Sequence, residues 1–352
     1  MNIIWGVIIA VGVFFLSYFG FLFCSQTNNS KYAKLKQPIL PILLFGFTGF
    51  IGAYFLAVDP HDSLFLPSIT APIFIFTVAL AYLLFSKRVS ANLFRFFFIL
   101  AVCLCGTFLL PTDFSLTENM LPAPIERIIL ALIWTVFAFF FPLLNGVDGI
   151  LSIHVLNVSV GLVLLFIIGT LPLLYASYAC VFIGLFLSFY IFNRYPASLT
   201  LSKEDSQIIG LLLGGLCLLA TQEGDSSCVL ILNMYYIYEL TTSTFRKLLH
   251  FKRNQSLADS SFYSQLAAAG IAPNNICDFI MRINLVLLLM SCFQVYSPNY
   301  YTIVLLSLVA VFWIVSRVTS PEILGNGHFL ITGSLFSMLR KGFSDKPDSK
   351  DK

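Results

Sequence analysis

Long stretches without a single charge recur along this chain, and a water-soluble fold has no place to put them. The first runs from Ile3 to Cys24, and others follow it as far as residue 316. About 18–22 apolar residues are what a helix needs to cross the hydrocarbon core of a bilayer. Inside that core each backbone amide and carbonyl must find its partner within the chain, so the runs read as helices. Composition agrees: 58% of the 352 residues are hydrophobic, 11% are charged, and mean hydropathy is +0.90. A soluble protein of this length must present polar surface that this chain lacks. The net charge of +3 is too small to argue for nucleic acid, and no nucleic-acid partner is expected.

The runs resolve into about eleven candidate helices. Their spans are 3–24, 38–57, 65–85, 93–110, 128–144, 150–169, 171–192, 208–221, 228–245, 276–296 and 301–316. The expected fold class is therefore all-α, a polytopic integral membrane protein. Residues 1–318 form one membrane domain, and 319–352 form a C-terminal tail, polar at its end. The first run is too long for a signal-peptide core and lacks a preceding basic residue, so it reads as a retained helix. The eighth helix carries Gly210, Gly214 and Gly215, which suit close backbone packing. Eight cysteines fall mostly inside apolar runs without a CxxC pair, and read as small packing residues.

Charge alternates between successive loops. Lys31, Lys34 and Lys36 lie in the first, Lys87 and Arg88 in the third with Arg95 just beyond. Arg194 and Lys203 lie in the seventh, and Arg246, Lys247, Lys252 and Arg253 in the ninth. The second, fourth and eighth loops carry Asp59 and Asp62, Asp113 and Glu118 and Glu126, and Glu223 and Asp225. The positive-inside rule then places odd loops in the cytoplasm, the N-terminus outside and the C-terminus in the cytoplasm.

The fifth loop is the sequence Asn145-Gly146-Val147-Asp148-Gly149, a carboxylate and two glycines between two apolar runs. The glycines permit positive φ in a tight connection. Asp148 has two readings, as a water-facing functional carboxylate or as the N-cap of the sixth helix. The seventh loop reads NRYPASLTLSKEDSQ (193–207), and the ninth runs from Arg246 to about Asn275. Within the ninth, Phe262 to Ala269 reads as a short interfacial helix. A site built from these basic loops suits an anionic soluble substrate together with a lipid phosphate. His154, one turn into the sixth helix, reads as an interior histidine or a proton relay; His250, in the basic ninth loop, reads as a phosphate contact or a solvated loop histidine; His61 and His328 have no partners nearby that suggest a metal site.

Three stretches carry a family resemblance. NGVDGILS (145–152) resembles a DGxDGL segment, FNRYPASLTLSKEDSQIIGLLLGGL (192–216) an FNxxPAxIFxGDxGSxxxGxxL segment, and QSLADSSFYSQLAAAGI (255–271) an aDxxHxHHxLxxxGl segment. Their order and spacing are similar to those of the polyprenyl-phosphate N-acetylhexosamine-1-phosphate transferases. Glu239 stands where members carry an acid in the ninth helix, ahead of a basic pair matched by Arg246 and Lys247. The resemblance implies transfer of a sugar 1-phosphate from a UDP-sugar to undecaprenyl (polyprenyl) phosphate in cell-envelope glycan synthesis. It implies Mg²⁺ (or Mn²⁺) and a site on the cytoplasmic face of the bacterial inner membrane. It assigns Asp148 as catalytic, Asp148 and Asp205 as metal ligands, and Asn145, Asn193, Glu239, Arg246, Lys247 and Asp259 as substrate-binding. A homodimer is left open.

The departures open a second reading. Members carry an Asp-Asp pair at the end of the third helix, where this chain reads YLLFSKRVSAN (82–92) without an acid. SKEDS replaces the GDxG turn, with Lys203 at the aspartate in an ungapped reading and Glu204 or Asp205 offered by a shifted one. Phe262, Ser264 and Gln265 stand where histidines belong. Mg²⁺ prefers hard oxygen ligands, and charge neutralisation is central to phosphoryl transfer. The alternative is a catalytically inactive relative that binds a lipid carrier or partners another enzyme. A transporter is suggested by helix count alone.

Overall fold

A computed structural model describes residues 3–26, 38–57, 92–108, 110, 121–223, 226–249, 261–268, 270–296 and 300–318. The described elements are helices throughout. They are α1 (Ile3–Gln26), α2 (Ile39–Ala57), α3 (Asn92–Phe108), α4 (Ala123–Phe140), a 3₁₀ turn (Phe141–Asn145), α5 (Ile150–Ile168) and α6 (Leu173–Asn193). After them come α7 (Lys203–Glu223), α8 (Ser226–Leu232), α9 (Met234–Leu249), α10 (Phe262–Ala268), α11 (Pro273–Gln294) and α12 (Tyr300–Val318). Among the described residues six helices are long and apolar enough to cross a membrane: α1, α4 with its following turn, α5, α6, α7 and α11. α2, α3 and α12 are shorter and also apolar. This is an all-helical, multi-pass membrane protein. The expected third helix, 65–85, and the tail, 319–352, lie outside the described residues.

The packing follows from which faces lack charge. α6 is at the centre of one half, with α1 and α2 on one side and α5 on the other. α5 also packs on α11, and α11 on α8; α3, α4 and α7 form the other half. Side chains on the outer faces, such as Val7, Phe15 and Phe19 of α1 and Leu285 and Leu289 of α11, are exposed and apolar. In water such a belt would be costly; against lipid it costs nothing. The glycines of α7 do what their spacing suggests. A Cβ at Gly210 would stand 2.5 Å from Phe141 Cβ, and one at Gly214 would stand 2.8 Å from Trp134 Cδ1. α4 approaches α7 that closely because those positions carry no side chain.

Three of the differences from the expected spans have a clear local reason. α4 begins at Ala123 rather than 128, because Pro124 presets the first turn and Glu126 lies at its positive end. Glu126 and Arg127 are thus buried helix residues rather than loop charges, and Arg127 donates to the Thr107 carbonyl at the end of α3 (3.1 Å). α7 begins at Lys203 rather than 208, through a reciprocal cap described below. The expected ninth helix, 228–245, is two helices, α8 and α9, interrupted at Asn233. The Asn233 side chain donates to the Val229 carbonyl (2.9 Å) beside the interruption. All eight cysteines are free, and six are buried.

Candidate functional site

The 3₁₀ turn after α4 brings Asn145-Gly146-Val147-Asp148-Gly149 to one end of the bundle. Gly149 takes φ +92° and occupies the N-cap of α5 without a side-chain cap. The N-cap reading of Asp148 is therefore incorrect. Its Oδ2 instead accepts the Ala197 amide, 49 residues away in the loop after α6 (3.1 Å). Its backbone carbonyl accepts the Cys277 thiol on α11 (2.9 Å). Gly146 has an ordinary φ of −83°. Its glycine identity is a matter of space: an added Cβ would lie 2.2 Å from the Tyr263 ring.

Asn193, the last residue of α6, is 2% exposed and fastens the fifth and seventh loops together. Its Oδ1 accepts the Gly149 amide (3.1 Å) and the Ser152 hydroxyl (3.2 Å). Its Nδ2 donates to the Leu199 carbonyl (3.0 Å). Asn145 adds a second tie, donating to the Leu201 carbonyl (2.7 Å). Both amides are side chains that can donate and accept at once, which is what two facing loop backbones require.

At the start of α7, Ser202 and Asp205 cap each other. The Asp205 amide donates to Ser202 Oγ and the Ser202 amide to Asp205 Oδ2, both at 3.1 Å. This is the reciprocal arrangement of a capping box, with aspartate at the third position. Replacing Ser202 by alanine is expected to cost about 1 kcal/mol of stability in a denaturant-unfolding titration in micelles. Asp205 is 2% exposed, and its Oδ1 makes no hydrogen bond among the described residues. Glu204 pairs with Arg95 of α3, and Lys203 is exposed.

The ninth loop arrives through α10. Ser261 caps it, accepting the Ser264 amide (3.3 Å), and Glu239 of α9 accepts the Phe262 amide (2.7 Å). Glu239 is fully buried and also accepts the Ser243 hydroxyl (3.4 Å). Tyr263 is 1% exposed and donates to the Leu143 carbonyl in the 3₁₀ turn. α10 is thus a docked helix with Phe262, Tyr263 and Leu266 buried. Lys247 is exposed near the end of α9; Arg246 lies on the same helix, and Asp259 lies outside the described residues.

Loops five, seven and nine therefore meet at one place: Asn145, Asp148 and Asn193 fasten the fifth to the seventh, Tyr263 brings the ninth to the 3₁₀ turn, and Asp205 and Glu239 secure the starts of α7 and α10. Among the described residues no three His, Cys, Asp or Glu side chains gather as a metal site. The described residues thus offer no all-protein cage for a divalent cation, and Asp205 commits one carboxylate oxygen to its own helix cap. Sequence reasoning missed Tyr263, Cys277 and the Arg95–Glu204 contact, which no local pattern announces. It also missed the Ser202 cap, whose S-x-x-D spacing was legible. His154 is fully buried, with its ring 6.1 Å from Phe141 and 5.9 Å from Tyr236.

Fold and site together define a polytopic, all-helical membrane protein whose loops converge at one end of the bundle. No family model matches the chain. Over 127 residues it is 32% identical to the phospho-N-acetylmuramoyl-pentapeptide-transferase of Streptococcus pneumoniae (strain Taiwan19F-14). That match spans 36% of this chain and 37% of that protein. The similarity is partial, covering about a third of each chain.

Proposed function

We propose that the chain keeps the scaffold of polyprenyl-phosphate sugar-1-phosphate transferases and uses it to hold a polyprenyl phosphate, as a carrier-binding or partner subunit without transferase activity. In this reading it resides in the bacterial cytoplasmic membrane, with the loop cluster at the cytoplasmic face and envelope glycan synthesis as its setting. One observation carries the reading: the carboxylates assigned to metal and substrate that the structure describes spend hydrogen bonds on the protein's own backbone. Asp148 holds the seventh loop, Asp205 caps its own helix, and Glu239 docks α10. Arg194, Lys203 and Lys247 remain exposed on the joined segments, as attraction to a phosphate headgroup requires.

A second reading, an active transferase using a UDP-sugar and Mg²⁺ or Mn²⁺, is favoured by the partial similarity to the Streptococcus protein. Asp148, half-buried at the junction, is its remaining catalytic candidate. The test supplies purified protein with undecaprenyl phosphate, Mg²⁺ or Mn²⁺ and a panel of radiolabelled UDP-sugars. The expected result is co-purifying or added polyprenyl phosphate bound to the protein, with no labelled lipid and no UMP, beside an active transferase as control. Labelled lipid that vanishes on chelation and in Asp148→Asn would establish the second reading. That variant retains an oxygen acceptor for the Ala197 amide, so it separates chemistry from folding.

A further inference from the structure

α3 and α7 meet through a charged contact near the loop cluster. Arg95, in the first turn of α3, pairs through a guanidinium nitrogen with Glu204 Oε1 in the first turn of α7. The two side chains are 12% and 22% exposed. Next to Glu204 stands the buried carboxylate of Asp205, so two acids share the start of one helix. The positive end of α7 favours them in part. A half-buried carboxylate beside a buried one still gains from a nearby cation, because withdrawing charge from water without a partner is costly. In a site of hard oxygen ligands a divalent metal supplies that charge. Here a guanidinium does so for Glu204, and it differs from a metal in being covalently held, always charged and insensitive to chelators. Lys203, one residue before Glu204, adds a further positive charge that would oppose a second cation.

We propose that Arg95 takes the electrostatic place of a divalent cation at the α3–α7 joint, so that the joint assembles without resident Mg²⁺ or Mn²⁺. The SKEDS stretch, where the resemblance expects a metal-binding turn, is then built around an internal ion pair. This deepens the non-catalytic reading and is tested separately from it: lipid capture examines that reading, and metal occupancy examines this one.

The experiment titrates metal-stripped wild-type protein in micelles with Mn²⁺, followed by electron paramagnetic resonance, and measures thermal unfolding with MgCl₂ or with EDTA. The expected result is a free Mn²⁺ signal unchanged by protein and a melting temperature indifferent to both additions. One Mn²⁺ withdrawn per chain, or a melting temperature lowered by EDTA, overturns the proposal. Arg95→Ala supplies the converse. It should melt lower than wild type and recover part of that loss in MgCl₂; a variant that Mg²⁺ does not stabilise would also overturn it. Should Arg95→Ala fail to fold, the double variant Arg95→Gln with Glu204→Gln removes both charges and is expected to fold without metal. A double variant that also fails to fold would show a role other than charge compensation.

Discussion

Replacing Gly146 by valine should unseat α10 and cost about 3 kcal/mol, the range of losing a buried aromatic contact. A Cβ at this position would stand 2.2 Å from Tyr263 Cε2 and 2.3 Å from its hydroxyl oxygen. No rotamer change of valine relieves that overlap, because the Cβ itself is the clashing atom. Tyr263 must leave, and it is 1% exposed in a cluster with Phe262 and Leu266. Its hydroxyl also loses the Leu143 carbonyl. Tyr263→Phe separates the two contributions: it keeps the ring and should cost only about 1 kcal/mol, the net value of a hydrogen bond. Unfolding titrations of the two variants in the same micelles check the ranking. Equal losses would mean that the hydroxyl, and not the ring over Gly146, holds α10 in place.

The parts of the fold that were legible are those a bilayer imposes. An uncharged run such as Ile3–Gln26 has one stable outcome in lipid, so α1, α5 and α6 stand close to their expected spans. The parts that were missed depend on distant partners. An aspartate before a glycine at a helix start looks like an N-cap, yet Asp148 finds the Ala197 amide 49 residues further on. Hydropathy registers no interruption at Asn233, because the flanking residues stay apolar while one side chain serves the backbone. Arg95 looked like one more positive charge beside a basic loop, and its pairing with Glu204 spans 109 residues. The joining of loops five, seven and nine is different. Local pattern did not suggest it; the order of three degenerate segments did, and the hydrogen bonds of Asn145, Asn193 and Tyr263 realise it. Residues of a kind that could serve a ligand can equally serve a loop, as Asp148 does with the Ala197 amide.

Asn193→Ala should be the more damaging of the simple loop substitutions, at about 3 kcal/mol or more. Its side chain makes three contacts, with the Gly149 amide, the Ser152 hydroxyl and the Leu199 carbonyl, and is 2% exposed. Truncation leaves the Gly149 amide and the Leu199 carbonyl without their partner, and each such group costs about 1–3 kcal/mol when buried. Gly149 has little room to seek another, since its φ of +92° is fixed by the turn into α5. Ser152 can rotate its hydroxyl, so Ser152→Ala should cost well under half as much. Asn193→Asp discriminates further: it keeps the acceptor for Gly149 but turns an oxygen toward the Leu199 carbonyl and buries a charge. It should therefore be at least as destabilising as alanine, although it is the smaller change in shape. Measured side by side in denaturant titrations, these three variants decide whether Asn193 acts as a two-sided hydrogen-bond bridge. A tolerant Asn193→Asp would show that the contact to Gly149 alone carries the joint.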